Sequence, residues 1–178
     1  MQLPEFFAQL DEYPQQVPLE RIAELLENLQ LDLNDVQAHL EFNAHHYKRN
    51  LMHQGPSCQV LMLCWLNGQR SQIHDHVGSN CGVRVMRGTA IETTFHRADN
   101  GMIFASGSRS LAEGSICANH DDDIHQVSNL AAADKCLVTL HVYSPPLRNM
   151  NVYDLSASQP HVVEDPVHEL LYGGASTV

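Results

Sequence analysis

The hydrophobic period of this chain changes near residue 46, from helical to strand-like. Between Pro18 and Gln30 the apolar residues Leu19, Ile22, Leu25, Leu26 and Leu29 recur at the spacing of one helix face, and Pro18 stands where a first turn tolerates proline. Asn34 or Asp35 opens a second short helix through Leu40, with Val36, Leu40 and Phe42 facing inward. Apolar stripes of this kind serve packing, so both helices are expected to lie outside the main body.

From about Tyr47 the pattern predicts strands. Gln59–Leu66 is a nearly unbroken apolar run bounded by Gly55-Pro56 and Asn67-Gly68, too short to read as a helix. Cys81–Met86 follows, then a turn at Arg87-Gly88, then Ala90–His96 with alternation at Ile91, Thr93 and Phe95. Leu111–Ala118 and Leu137–Tyr143 complete the series. Short strands at regular spacing predict an antiparallel sandwich or small barrel. The whole chain, 1–178, reads as one domain: a helical part over 1–45, a barrel over 46–150, and an irregular extension with a loose end over 151–178, around Pro160, Pro166 and Gly173-Gly174.

Composition narrows the classes. Hydrophobic residues at 43% and charged residues at 17% describe a globular chain rather than a disordered one. No run approaches ~20 consecutive apolar residues, so no spanning helix is expected. A net charge of −11 argues against nucleic acid, whose phosphates it would repel. The five cysteines are odd in number and form no CxxC, and the N-terminus lacks the basic and apolar regions of a signal peptide. They read as reduced thiols in a cytoplasmic protein.

Two histidine elements carry the chemistry. His74 and His76 are separated by a single residue, so an extended strand offers both imidazoles on one face. Glycine at 68 and 88 and Cys81 frame this pair, and His125-Gln-Val-Ser-Asn129 supplies a third imidazole 49 positions after His76. A third ligand from a distant strand closes a triangle and leaves open positions, as reactive metal sites require. Other histidines, His53, His96 and His120 among them, are expected at the surface or in caps. The Asp121-Asp122-Asp123 run lacks the spacing of a calcium loop and reads as a solvated acidic turn.

This double frame resembles the cupin superfamily, which implies a mainly β, jelly-roll-like antiparallel barrel holding a metal in its mouth. The first cupin motif supplies two histidines and a glutamate; here the glutamate place falls on Cys81, and Asp75 points away from its neighbours. The implied ligand set is three neutral imidazoles, His74, His76 and His125, with no carboxylate. By ligand type alone the set suits iron(II), zinc, nickel or copper. Four segments narrow the resemblance: Tyr47-Lys-Arg49-Asn-Leu, Leu61-Met-Leu-Cys-Trp65, Ser71-Gln-Ile-His74-Asp-His76 and Leu140-His141-Val-Tyr143-Ser-Pro-Pro146. From about Tyr47 to Met150 the chain is similar to the cysteine dioxygenases, the thiol dioxygenase branch of the cupins. That implies Fe(2+) as cofactor and oxidation of L-cysteine by O2 to cysteine sulfinate, a step of cysteine catabolism.

The resemblance also implies residue roles. Arg49 would hold the substrate carboxylate through a guanidinium fork, with Tyr47 adding a hydroxyl. Cys81 and Tyr143 match a pair joined by a thioether bond in part of the family. Thr139, His141 and Tyr143 share one strand face and would form a hydrogen-bond relay. Ser144-Pro145 matches a cis peptide bond, and Met150 stands where animal enzymes carry a cysteine. The implied partners are a small thiol and O2, with no nucleic acid and no membrane, and a monomer is expected. Two alternatives stay open: a dioxygenase for another small thiol such as 3-mercaptopropionate, and a non-catalytic metal-binding cupin acting as a sensor. Relatives that prefer 3-mercaptopropionate carry glutamine at the place of Arg49.

Overall fold

In a computed structural model, the chain folds into two antiparallel sheets preceded by helices; the structure describes residues 1–120 and 123–167. Asp121, Asp122, His168 and the expected loose end at Gly173-Gly174 lie outside the described residues. The first sheet runs in the order β1 (Lys48–Gln54), β2 (Gln59–Trp65), β9 (Leu137–Ser144), β4 (Asn80–Arg87), β7 (Ile116–Asn119). The second runs β11 (His161–Glu164), β10 (Asn149–Tyr153), β3 (Ile73–His74), β8 (His125–Ser128), β5 (Thr89–Arg97), β6 (Ile103–Ala112). The mainly β architecture with helices outside is the expected one.

Every residue of β2 and β9 is buried, which explains the nearly unbroken apolar run of β2 and encloses the polar Thr139 and His141 of β9. The two-residue period divides each strand between two cores. Val60, Met62, Val138, Leu140 and Val142 face outward under Ile22, Leu25 and Leu26 of α2 (Leu19–Asn28) and Phe6 and Leu10 of α1 (Leu3–Asp11). Leu61, Leu63, Trp65, Leu137 and Tyr143 face inward and pack with Val83, Val85 and Val127. Thr139 and His141 lie on that inward side too, because β9 alternates in step with its neighbours.

The helices sit tightly. A Cβ at Gly82 would come within 2.3 Å of Ile22 Cγ2, so the bare backbone of β4 is what lets α2 approach. Arg84 donates to the carbonyls of Leu26 and Leu29 at 3.0 and 2.6 Å, satisfying acceptors at the end of α2. His53, expected at the surface, is instead part-buried and ties β1 to α1 by a 2.9 Å contact with the Asp11 carboxylate.

Several expectations are corrected. α1, with proline in its first turn, is a further helix not among those expected, although Leu3, Phe6, Phe7 and Leu10 fall at the spacing of one helix face. The second predicted helix is a 3-10 helix over Leu33–His39, capped by Asp32 accepting from Asn34 N at 2.8 Å, not by Asn34 or Asp35. The predicted strand Leu111–Ala118 breaks at Gly114, whose φ of +85° turns the end of β6 into β7. β6 is mostly exposed, so it carries no apolar alternation to read. In β5 the buried residues are Ala90, Glu92 and Phe95 rather than Ile91, Thr93 and Phe95, since a register shift between Thr94 and Phe95 reverses the phase. The extension over 151–178, read as irregular, contributes the end of β10 and all of β11. β11 is a short, largely exposed edge strand whose pairing comes from β10, not from its own pattern.

Gly82→Val is expected to lower stability by about 1–3 kcal/mol through overpacking against Ile22 and Leu26, read as a drop in the urea midpoint at unchanged slope.

Candidate metal centre

β3 and β8 pair at a single position, His74 opposite His125, so sheet register brings together two residues distant in sequence. β3 ends at His74; His76 lies just beyond it, before a turn at Val77 and Gly78 with φ of 36° and 84°. The alternation nevertheless persists. Asp75 points away and is fixed by Asn151 Nδ2 at 2.9 Å and the Tyr153 hydroxyl at 2.7 Å, which leaves His76 on the side of His74. The ligand atoms of His74, His76 and His125 all lie within 4.8 Å of one another, and all three residues are buried.

Their hydrogen bonds set which nitrogen faces inward. His74 donates from Nδ1 to the Gln72 carbonyl at 2.9 Å, and His125 from Nδ1 to Glu92 Oε1 at 2.9 Å, so each turns Nε2 toward the centre. His76 Nε2 meets His125 Nε2 at 3.3 Å, and His76 Nδ1 has no hydrogen-bond partner among the described residues. Burial, then the neighbouring His125, lowers the His74 pKa to about 3, and burial holds His76 well below the usual histidine range. Three imidazoles converging on one point suit a divalent cation. No carboxylate joins them among the described residues. Glu92 stands one layer back: burial alone would raise its pKa, but His125 and Arg109 outweigh that and hold it at about 2. Arg109 contacts its Oε2 at 2.5 Å and Asn119 donates to Oε1 at 3.1 Å. Sequence reasoning missed Glu92; the signal was an acidic residue at the centre of a strand, disguised by the reversed phase of β5.

The other sequence-selected residues gather beside this cluster. The Tyr143 and His76 ring centroids are 5.5 Å apart. His141 Nδ1 lies 3.1 Å from the Tyr143 hydroxyl, and its Nε2 lies 2.9 Å from Thr139 Oγ1, which accepts from Trp65 Nε1 at 3.0 Å. Cys81 on β4 is directly opposite Tyr143 on β9, and both are buried. The Arg49 guanidinium lies 5.5 Å from the centre of the Tyr143 ring, and Tyr47 stacks on Trp65 at 4.1 Å. The Ser144–Pro145 bond is cis, and Met150 is buried in the same core as Tyr143. A cleft of about 740 Å³ opens onto Arg49 and Tyr47. Asp165, which sequence reasoning did not single out, faces Arg49 with Oδ2 2.6 Å from Nη2.

The family model for cysteine dioxygenase type I matches residues 1–156. The chain belongs to that family. It is 31% identical over 159 residues to cysteine dioxygenase type 1 of Homo sapiens, covering 86% of this chain and 78% of the relative. The corresponding protein of Danio rerio is 29% identical over 153 residues, covering 83% and 76%. Among solved structures, a Thermus thermophilus protein superposes with a TM-score of 0.53 at 19% identity, over 66% of this chain and 97% of that one. A Klebsiella pneumoniae protein with a double-stranded beta-helix domain gives 0.52 at 15%, over 67% and 94%. These two likenesses support the fold. As a member of the cysteine dioxygenase family, the chain holds a buried three-histidine site between the strands of its two sheets. No helix among the described residues is long and apolar enough to cross a membrane.

Two outcomes follow from the site. His74, His76 and His141 all have folded pKa values depressed by burial, so below the reference value of 6.5 the unfolded chain binds more protons. The metal-free protein should therefore keep its full stability above pH 6.5 and lose it as pH falls toward 3, seen as a declining urea midpoint. Glu92→Gln is expected to weaken metal binding by roughly 10- to 100-fold, measured by competition with a chelator of known affinity.

Proposed function

We propose that this protein is an iron(II)-dependent dioxygenase that converts the thiol of L-cysteine to the sulfinate with O2. The observation that carries the reading is the convergence of three imidazoles beside Tyr143 and a buried Arg49, within a chain of the cysteine dioxygenase family. His74, His76 and His125 would hold the iron through Nε2. When bound, the iron supplies a site for thiolate binding and the electrons that activate dioxygen.

The chain's own groups bind and orient. Arg49 takes the substrate carboxylate; its Nε and Nη2 are buried donors with no aligned hydrogen-bond partner among the described residues. Tyr47, held flat against Trp65, lines the same cleft as Arg49. Burial pushes the Tyr143 pKa well above the usual phenol value, so the hydroxyl stays protonated and serves as a hydrogen-bond donor. Thr139 and His141 fix its orientation from behind. Cys81 lies across the sheet from Tyr143, a register that favours the thioether found in part of the family. The arginine favours an amino acid thiol over 3-mercaptopropionate.

The test is anaerobic reconstitution with iron(II), followed by cysteine and air, with oxygen uptake and product mass read together. Cysteine is expected to gain two oxygen atoms, with no turnover in His125→Ala. Arg49→Ala should lose roughly a hundredfold in kcat/KM, the scale of losing one partner of a buried charge-assisted pair. Oxidation of 3-mercaptopropionate alone would remove the substrate assignment; turnover of neither thiol at full iron occupancy would remove the dioxygenase. Intact mass of the same preparation reads the thioether as the loss of the thiol hydrogen and one ring hydrogen.

A further inference from the structure

A second cluster of groups able to ligate a metal lies where α1 meets the hairpin of β1 and β2. Asp11 is the last residue of α1, His53 stands on β1, and Cys58 immediately precedes β2. One ligand atom from each lies within 4.8 Å of the others. His53 Nε2 is 2.9 Å from Asp11 Oδ1, and Cys58 Sγ is 3.9 Å from the same oxygen. The edges of a tetrahedral zinc site are about 3.3 Å between nitrogen and oxygen and about 3.5 Å between sulfur and oxygen, so small shifts reach them. Gly55 marks the space between the donors. A Cβ there would lie 2.0 Å from Asp11 Oδ1 and 3.1 Å from both Cys58 Sγ and His53 Nε2. The missing side chain is what lets three donors close on one point. Phe7 stacks on the His53 ring at 4.4 Å and 9°, which holds the imidazole in place. Cys58 belongs to the core beneath the helices, whereas Tyr143 belongs to the inner core, so this cluster is separate from the three histidines.

We infer that Asp11, His53 and Cys58 form a second metal site, which binds a divalent cation of the zinc class and clamps α1 to the hairpin. The donor set decides the class. A thiolate and an imidazole favour zinc over magnesium or calcium, and three protein ligands leave the fourth tetrahedral position to water. Cys58 is buried, whereas the Asp11 and His53 side chains are 34% and 21% exposed, so the cation enters from the carboxylate side. Burial, then the neighbouring Asp11, pushes the Cys58 thiol up to about 12, so the cation must displace its hydrogen. That hydrogen leaves to solvent, and His53 gives up the one on Nε2 while keeping one on Nδ1. A thiolate, a carboxylate and a neutral imidazole then balance the two positive charges, so the closed site strands no net charge. An ion pair alone accounts for Asp11 and His53. It gives no reason for a thiol against the same oxygen, over a glycine that leaves room for all three.

The experiment uses the full chain with His125→Ala, which disables the three-histidine site, so the outcome does not depend on turnover. Cobalt(II) is the probe. One equivalent should bind with a near-ultraviolet thiolate-to-cobalt charge-transfer band and intense visible bands of tetrahedral cobalt. Zinc should displace the cobalt and raise the urea midpoint, as a ligand of the folded state does. Adding Cys58→Ser should abolish the charge-transfer band. Adding Asp11→Asn, at the partly exposed end of α1 where the fold tolerates it, should weaken cobalt binding by about tenfold or more. No charge-transfer band in the His125→Ala chain would overturn the site. So would a band that survives Cys58→Ser, because the thiolate would then be another cysteine, and so would unchanged affinity in Asp11→Asn.

Discussion

The structure depends on β9 being buried on both faces. A strand in that position has no solvent to absorb its polar side chains, so each one must either be absent or find a partner. On the helix side the strand carries only Val138, Leu140 and Val142 among its central residues. On the inner side it carries Thr139, His141 and Tyr143, and these satisfy one another and Trp65 in a continuous line. The two-residue period thus gives one strand two tasks, packing beneath α2 and presenting a fixed hydroxyl toward the histidine cluster.

The electrostatics of the interior follow from the same economy. His74 and His76 stay neutral because burial penalises their charged forms, and His74 and His125 are oriented through Nδ1 by acceptors outside the cluster. The fixed charges are kept in pairs at the periphery: Glu92 with Arg109 behind His125, and Asp165 with Arg49 beside Tyr143. Each pair is a place where a buried charge meets its counter-ion, and each positions a group that faces the centre. A cation entering the cluster would therefore keep most of its own charge, which favours anionic ligands such as a thiolate.

Much of this was legible in the sequence where the signal is local. The apolar run of β2, the stripe of α2 and the pairing of His74 with His76 follow from spacing along one segment. The Thr139–His141–Tyr143 face was readable for the same reason. Glu92 was not, because a register shift in β5 moves it from the apparent outer face to the inner one. Asp165 was not, because it follows a short exposed strand that has no amphipathic pattern and is placed only by pairing with β10. α1 carries the same kind of local signal as α2, with Leu3, Phe6, Phe7 and Leu10 at helical spacing, and buries Phe6 and Leu10.

By itself the sequence determined the class of fold, the donor types and the family resemblance, since periodicity and residue chemistry are properties of the chain before it folds. Tertiary structure alone decided that His125 lies opposite His74, that Cys81 lies opposite Tyr143, and that Glu92 and Asp165 reach His125 and Arg49. Those contacts join segments dozens of residues apart. Their geometry is set by sheet register and close packing, which depend on the whole set of strands rather than on any one of them.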